Sequence, residues 1–346
     1  MTNTINNILS LHNLSIGYSA GKNGILCERL NVGARKGELI ALIGKNGTGK
    51  STLLRTIARL QASLAGSVTI RDREIYQFSG RDFARLVSFV STENVTVPNM
   101  SVYDLVALGR FPYTNWIGRL SEEDRNIVEH SIKQTGLALL KDKNIDSLSD
   151  GERQRVMIAR TLAQNTDLII LDEPTAFLDL QGRHEIIHLL NKLAAEQKKT
   201  IVFSTHDLNI ATSEADKIWM LLPGELVEGA PEDLILNNQI KRLFDNSLLR
   251  FDSASGSFVV KKQSGAKFSI MGEGEGLLWT SRALQRLGLT ITETPAQAHG
   301  IIRVNQNAES FNWQVHHDDI SEEFASVYLL ANYLKEHFSF HLRKKQ

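Results

Sequence analysis

The sequence predicts an α/β protein, with a core built on a mostly parallel sheet and a smaller α/β module behind it. Three observations carry this. Short apolar runs at Glu38-Leu-Ile-Ala-Leu-Ile-Gly44, Val87–Val90, Leu168–Leu171 and Thr200–Ser204 have the composition of buried strands. Stretches of helical periodicity lie between them, around 121–138, 152–164 and 182–197. Strands apolar on both faces and separated by amphipathic helices belong to parallel sheets covered on both sides. Near residue 250 the pattern changes, and a second set of shorter elements begins. The 346 residues leave room for about two domains at ~150 residues each.

Taken in order, residues 11–18 alternate as a strand, 20–23 read as a turn and 25–32 as mixed strand. Residues 38–44 form a buried strand ended by glycine. Residues 50–60 carry Leu53, Leu54, Ile57 and Leu60 at helical spacing. Beyond 250, residues 251–260 suggest a hairpin around Ser253-Ala-Ser-Gly256, and 263–267 a short polar linker. A strand at 268–271, a helix at 277–287 and strands at 289–292, 300–305 and 311–315 follow. Asp319 with Glu322 offers a helix cap for a stripe of Phe324, Val327, Tyr328, Ala331 and Leu334, and 338–342 a last strand. The order βαβββαβ is that of a ferredoxin-like or related sandwich.

Composition excludes several roles. Lys+Arg and Asp+Glu are 39 each, so the chain does not coat nucleic acid by bulk charge. Cys27 is the single cysteine, which rules out an intrachain disulfide. No apolar run approaches the ~18 residues of a membrane span. The start, Met1-Thr-Asn-Thr-Ile-Asn-Asn, lacks the basic and apolar stretches of a secretory signal. These features point to a soluble, intracellular protein.

The chemistry begins at Gly44-Lys-Asn-Gly-Thr-Gly-Lys-Ser-Thr52, which fits G-x-x-x-x-G-K-[ST] between a buried strand and a helix. Glycines let backbone N–H groups curl around phosphate oxygens, and the helix start adds positive potential. Gly44, Asn46, Gly47, Gly49, Lys50, Ser51 and Thr52 are the candidate nucleotide contacts. Lys50 would reach the β- and γ-phosphates, and Ser51 would ligate Mg²⁺. Downstream, Leu168-Ile-Ile-Leu-Asp-Glu-Pro174 delivers two carboxylates at the carboxyl end of a strand, where ligands of α/β sheets sit. Asp172 would hold Mg²⁺ through water, and Glu173 would polarise the attacking water as general base. The pair alone would also suit a strand end with solvated acids.

Between these lies Leu148-Ser-Asp-Gly-Glu-Arg-Gln154, opening a helix. Here the sequence resembles the ATP-binding subunits of ABC transporters, whose signature reads LSGGQ. Asp150 replaces the first of the paired glycines and Glu152 the glutamine. The resemblance implies that Ser149, Gly151 and Glu152 face the nucleotide of a second subunit. By spacing alone, Ser149 is a helix N-cap. Phe177-Leu-Asp179 is similar to the family's D-loop. Ser204-Thr-His-Asp207 is similar to the switch segment, which places His206 on the γ-phosphate. Tyr18 resembles the tyrosine that stacks on adenine. The family's glutamine after the strand at Val87–Val90 is replaced, so that Thr92 or Glu93 takes its place near the metal. The resemblance covers about residues 8–262.

Met100-Ser-Val-Tyr-Asp-Leu-Val-Ala-Leu-Gly-Arg-Phe-Pro-Tyr113 is similar to the corresponding segment in importers of ferric siderophores, haem and cobalamin. The resemblance implies an ATPase with ATP and Mg²⁺ as cofactors, working as a homodimer at the cytoplasmic face of the inner membrane. It implies contact with integral membrane permease subunits, an indirect link to a substrate-binding protein, and no nucleic acid. A soluble ABC ATPase acting on ribosomes or nucleic acid is the alternative, though such chains carry two modules or a long coiled coil. Residues 263–346 hold 8 basic and 9 acidic residues and none of these motifs. Gly272-Glu-Gly-Glu-Gly276 lacks the third glycine of a dinucleotide loop and carries carboxylates that repel phosphate. His316-His317-Asp318-Asp319 has metal-binding residue types, but neighbours on a strand point to opposite faces. A regulatory or dimer-stabilising role is the expectation for this module.

Overall fold

The computed structural model describes residues 7–18, 24–91, 99–116, 118–244, 249–252, 257–260, 265–307 and 310–338. Contacts divide the chain into two units, Met1–Asp245 with Phe251–Ser257, and Asn246–Arg250 with Phe258–Gln346. The turn expected at 20–23 lies outside the described residues except at its flanks.

The first unit starts with β1 (Asn7–Gly17), β2 (Ile25–Leu30), β3 (Gly33–Arg35), β4 (Leu39–Gly44) and α1 (Lys50–Ile57). Next come β5 (Ala65–Ile70), β6 (Arg73–Glu74), α2 (Gly80–Ala84), β7 (Val87–Val90), α3 (Val102–Ala107), α4 (Glu122–Gln134) and α5 (Asp150–Gln164). The unit continues through β8 (Leu168–Leu171), α6 (Leu180–Gln197), β9 (Thr200–Ser204), α7 (Leu208–Glu214), β10 (Lys217–Leu222), β11 (Glu225–Gly229) and α8 (Pro231–Leu236).

Six strands make the central sheet in the order β11-β10-β4-β9-β8-β7. Every pairing in it is parallel except β10 with β11 at the edge. Leu39 to Ile43, Leu168 to Leu171 and Thr200 to Ser204 are all buried, the run-on burial that a sheet covered on both faces requires. A second, antiparallel sheet runs β2-β1-β5-β6, with β3 also on β1. The two sheets share a core in which Leu9, Leu14 and Ile16 of β1 meet Leu42, Leu53, Ile57, Val202 and Trp219.

Helices α3, α4 and α5 pack on one another as a helical segment. Ser101 and Ser121 close capping boxes with Asp104 and Asp124, which fixes where α3 and α4 begin. The 3-10 turn after α3 carries Gly109, where a Cβ would stand 2.2 Å from the Arg160 carbonyl oxygen. Only glycine lets the turn lie this close to α5. Arg110 then enters the interior. Its Nε donates to Asp124 Oδ1 at 2.8 Å and its Nη1 to the Ala163 carbonyl at 2.8 Å. Its guanidinium also stands 3.8 Å from the Tyr113 ring centroid. Burial raises the Asp124 carboxyl, but hydrogen bonds from Ser121 and Arg110 outweigh it and hold the group below its ordinary value. Removing one partner of such a pair leaves an uncompensated charge. Arg110→Ala is therefore expected to cost about 3–5 kcal/mol, read as a lower urea midpoint at unchanged slope. The stabilisation from the depressed carboxyl is present above the unfolded value of about 3.9 and is lost as pH falls through the lower folded value.

β12 (Leu249–Asp252) and β13 (Ser257–Val260) form a two-stranded sheet whose residues are divided between the two units, with the connecting 253–256 outside the described residues. Then come β14 (Lys267–Met271), α9 (Gly274–Leu287), β15 (Thr290–Ile291), β16 (Gly300–Asn307), β17 (Ser310–His317), β18 (Ile320–Phe324) and α10 (Val327–Phe338). The strands order as β15-β14-β16-β17-β18, parallel across β15, β14 and β16 and antiparallel beyond. Phe268, Ile302, Val304, Trp313 and Val315 meet Leu284, Leu330 and Leu334 in one core. This is the expected small α/β module, of a related rather than ferredoxin-like topology.

The cap expected at Asp319 and Glu322 does not form. Asp318, at φ 48, and Asp319 make a tight turn, across which His317 pairs with Ile320, and 320–324 run as an edge strand. Phe324 therefore belongs to a strand. The helix starts three residues later, where Ser326 Oγ accepts from the Leu329 N–H at 3.3 Å. Tyr328 is exposed rather than on the core stripe. Phe338 ends that helix, and 339–342 lie outside the described residues. His317 is buried and its Nε2 contacts the Tyr333 hydroxyl, whereas its neighbour His316 faces the other side of the sheet. Among the described residues no three metal-ligating side chains gather.

Candidate functional site

The site forms where the central sheet ends. β4 delivers Gly44, where a Cβ would stand 2.6 Å from the Leu221 carbonyl oxygen of β10. Gly47 and Gly49 adopt φ 80 and 102, a region that side chains avoid. Gly49 caps α1 with no side-chain hydrogen bond, so the first N–H groups of the helix are left for an anion. Lys50 is 6% exposed. Its Nζ donates to the carbonyls of Gly44 at 3.0 Å and Lys45 at 3.2 Å. Burial lowers its pKa, and the charges of Glu173 and Asp172 work against that. Asn46 is exposed, Ser51 half-buried and Thr52 buried. Tyr18 lies 3.4 Å from Thr52, hydroxyl to hydroxyl, with 59% of the residue exposed.

β8 and β9 run parallel in register, Leu171 opposite Phe203. The next residues, Asp172 and Ser204, are therefore neighbours at the strand ends. Ser204 Oγ donates to Asp172 Oδ1 at 2.7 Å and accepts the Glu173 N–H at 2.8 Å. Asp172 and Ser204 are buried. Glu173 sits at φ 50, an uncommon left-handed conformation for a non-glycine residue. That turn brings its Oε1 to 2.5 Å from His206 Nε2. Lys50, Asp172, Glu173 and His206 are thus gathered at one end of the sheet. The buried Asp172 carboxylate and the Ser51 hydroxyl at the start of α1 are oxygen donors of the kind a hard divalent cation takes.

A second group lies at the start of α5. Ser149 caps the helix, and its Oγ donates to Glu152 Oε2 at 2.7 Å while the Glu152 carboxylate accepts the Ser149 N–H at 2.8 Å. These hydrogen bonds hold the Glu152 carboxyl below its ordinary value. A Cβ on Gly151 would meet Leu178 at 3.8 Å, so the helix start adjoins the loop of Asp179. Asp179 caps α6, its Oδ1 accepting the Gly182 N–H at 2.8 Å. Thr92 and Glu93 lie outside the described residues.

Ser204 stands in the sequence reading without a role, because that role comes from the register of β8 against β9 in the folded sheet. Arg183 was missed altogether. Its Nε donates to the Leu178 carbonyl at 2.9 Å, and its Nη1 lies 3.8 Å from Asp207 Oδ2. It ties the Asp179 loop to the segment that follows His206.

Residues 27–176 match the ABC transporter family model, and residues 265–335 match the model of the iron ABC transporter C-terminal domain. The chain is 38% identical over 273 residues to an uncharacterized ABC transporter ATP-binding protein of Methanocaldococcus jannaschii, covering 78% of this chain and 93% of that protein. It is 38% identical over 239 residues to the iron(3+)-hydroxamate import ATP-binding protein of Bacillus subtilis, covering 69% and 88%. Among solved structures it resembles a metal-chelate type ABC transporter in an inward-facing conformation, with TM-score 0.61 and 29% identity over 73% of this chain and 95% of the other. A dimeric bacterial ABC transporter cassette matches with TM-score 0.57 and 29% identity, over 64% and 98%.

Proposed function

The chain belongs to the ATP-binding subunits of ABC transporters, and from that membership we propose that it hydrolyses ATP to drive import of an iron chelate through a separate permease. One observation carries the ATPase reading: Glu173 meets His206 beside buried Lys50 and Asp172 at the phosphate loop. The iron-chelate reading rests on the match of residues 265–335 to an iron transporter domain and on relatives named for iron(3+)-hydroxamate and ferric enterobactin.

In this reading the amides from Gly44 to Gly49 and the Lys50 ammonium hold the phosphates. Tyr18 offers its exposed ring to the base. Glu173 takes the proton of the attacking water, and His206 orients that carboxylate and faces the γ-phosphate. Ser51 and Asp172 would hold Mg²⁺, which supplies charge neutralisation along the phosphates. Two copies pair isologously, so that Ser149 and Gly151 of each complete the nucleotide site of the other.

The permease reading has its own support. Phe111 and Trp116 are 73% and 94% exposed and border a cavity of about 410 Å³ beside Arg81 and Pro112. Arg81 donates to the carbonyls of Pro112 at 2.8 Å and Thr114 at 2.6 Å, which holds the segment in place. Exposed aromatic side chains around a pocket are anchors for a partner protein. The described residues include no helix long and apolar enough to cross a membrane; the chain reaches the cytoplasmic face of the membrane through this partner. The test is expression with its permease. Phe111→Asp with Trp116→Asp is expected to abolish co-purification and chelate uptake while the isolated subunit keeps its ATPase rate. Full uptake in that variant would remove the docking assignment.

A further inference from the structure

We propose that His184 and His188 on α6 form a two-imidazole chelate for a borderline divalent transition cation, the class of zinc, nickel and copper. α6 is a regular helix of 18 residues, and the chain there reads His184-Glu-Ile-Ile-His188. Residues four apart stand one above the other, with Cβ atoms about 5–6 Å apart. Ile186, Ile187 and Leu190 are buried on the inner side of the helix, which turns His184 and His188 outward, and both are exposed. Among the described residues neither ring has a hydrogen-bond or ionic partner. Both imidazoles are therefore open to a ligand.

The spacing is that of the H-E-x-x-H helix of zinc hydrolases, but the glutamate is otherwise engaged. Glu185 Oε2 accepts from Arg155 Nη1 at 2.8 Å, and Oε1 from Gln181 Nε2 at 2.9 Å. The site is thus one for binding and not for hydrolysis. No third His, Cys, Asp or Glu joins the pair among the described residues, so water completes the coordination shell. Imidazole nitrogens favour borderline metals, whereas Mg²⁺ prefers carboxylate, phosphate and water oxygens. The chelate therefore does not draw on the cation of the nucleotide site. Its position gives it leverage. The helix starts at the Asp179 cap, and Arg183, next to His184, reaches both the Asp179 loop and Asp207. A cation held at His184 and His188 cross-links two turns of the helix directly behind that loop.

The test is calorimetric titration of the untagged full-length chain with zinc chloride, magnesium being present in millimolar excess. One saturable event is expected. His184→Gln and His188→Gln should each weaken it by about tenfold or more, and Glu185→Gln should leave it intact. All three positions lie on the outer surface of the helix, so the variants keep the fold. Zinc is also expected to raise the Tm of the wild type by mass action, an increase the double histidine variant loses. Absence of saturable binding below about 1 mM, or binding that survives both histidine substitutions, would overturn the assignment and place any zinc elsewhere on the chain.

Discussion

Glu173→Gln is expected to stop ATP turnover while ATP still binds. The side chain keeps its length and its reach to His206, and it loses only the capacity to take a proton. General-base assistance is worth about 10²–10⁴ in rate, so kcat should fall by at least about a hundredfold. The affinity for ATP, set by the phosphate-loop amides and Lys50, should change little. A radiolabelled ATP assay reads both quantities on one preparation. Since hydrolysis is what reopens the proposed pair, the variant should also elute as an ATP-loaded dimer in size-exclusion chromatography. Wild-type turnover in the variant would show that another group takes the proton.

Ser204→Ala should produce a different loss. Its hydroxyl is shared between the Asp172 carboxylate and the Glu173 N–H, and both partners are left unsatisfied when it goes. A buried unsatisfied group costs about 1–3 kcal/mol. Here part of that cost falls on the geometry of the site, because Glu173 stands at a backbone conformation that nothing intrinsic to glutamate favours. A fall in kcat of about ten- to a hundredfold is expected, with KM for ATP nearly unchanged. The Mg²⁺ concentration needed for half activity should rise, since Asp172 loses the donor that orients it. Ser204→Thr keeps the hydroxyl and should recover most of the rate. If the alanine variant loses thermal stability yet keeps its kcat and its Mg²⁺ dependence, Ser204 only packs.

The parts of this site that could be read from the chain are those with a local cause. Gly44 to Thr52 announce a phosphate loop because the glycines, the lysine and the following helix are contiguous. The strand at Leu168–Leu171 is legible because a strand buried on both faces must be apolar throughout. Ser149 shows its cap by its place just before a helix, while the box it closes with Glu152 comes from the structure. Ser204 was not legible in the same way. Its role depends on which residue of β8 it stands beside, and that is a property of the sheet. The error at Asp319 has a similar origin. Residues 319 to 334 carry a helical period, yet Asp318 can take a positive φ and close a hairpin, which gives Ile320–Phe324 a neighbour in β17. Pairing across the turn prevailed over the local cap.

The place of β4 in the central sheet has a consequence for how the protein is made. Its neighbours are β9 and β10, with Leu39 opposite Ile201 and Ile40 opposite Lys217. The strand that leads into the phosphate loop therefore has no partner until more than half of the chain has been synthesised. Closing so long a segment is slow. Until residue 204 has left the ribosome, the apolar run from Leu39 to Ile43 remains sticky and unpaired, of the kind that chaperones shield, and its second edge stays open until residue 222 follows. Nucleotide binding is accordingly a late event in the life of the nascent polypeptide, and a ribosome stalled before β9 carries a loop with the right residues and no frame to hold them.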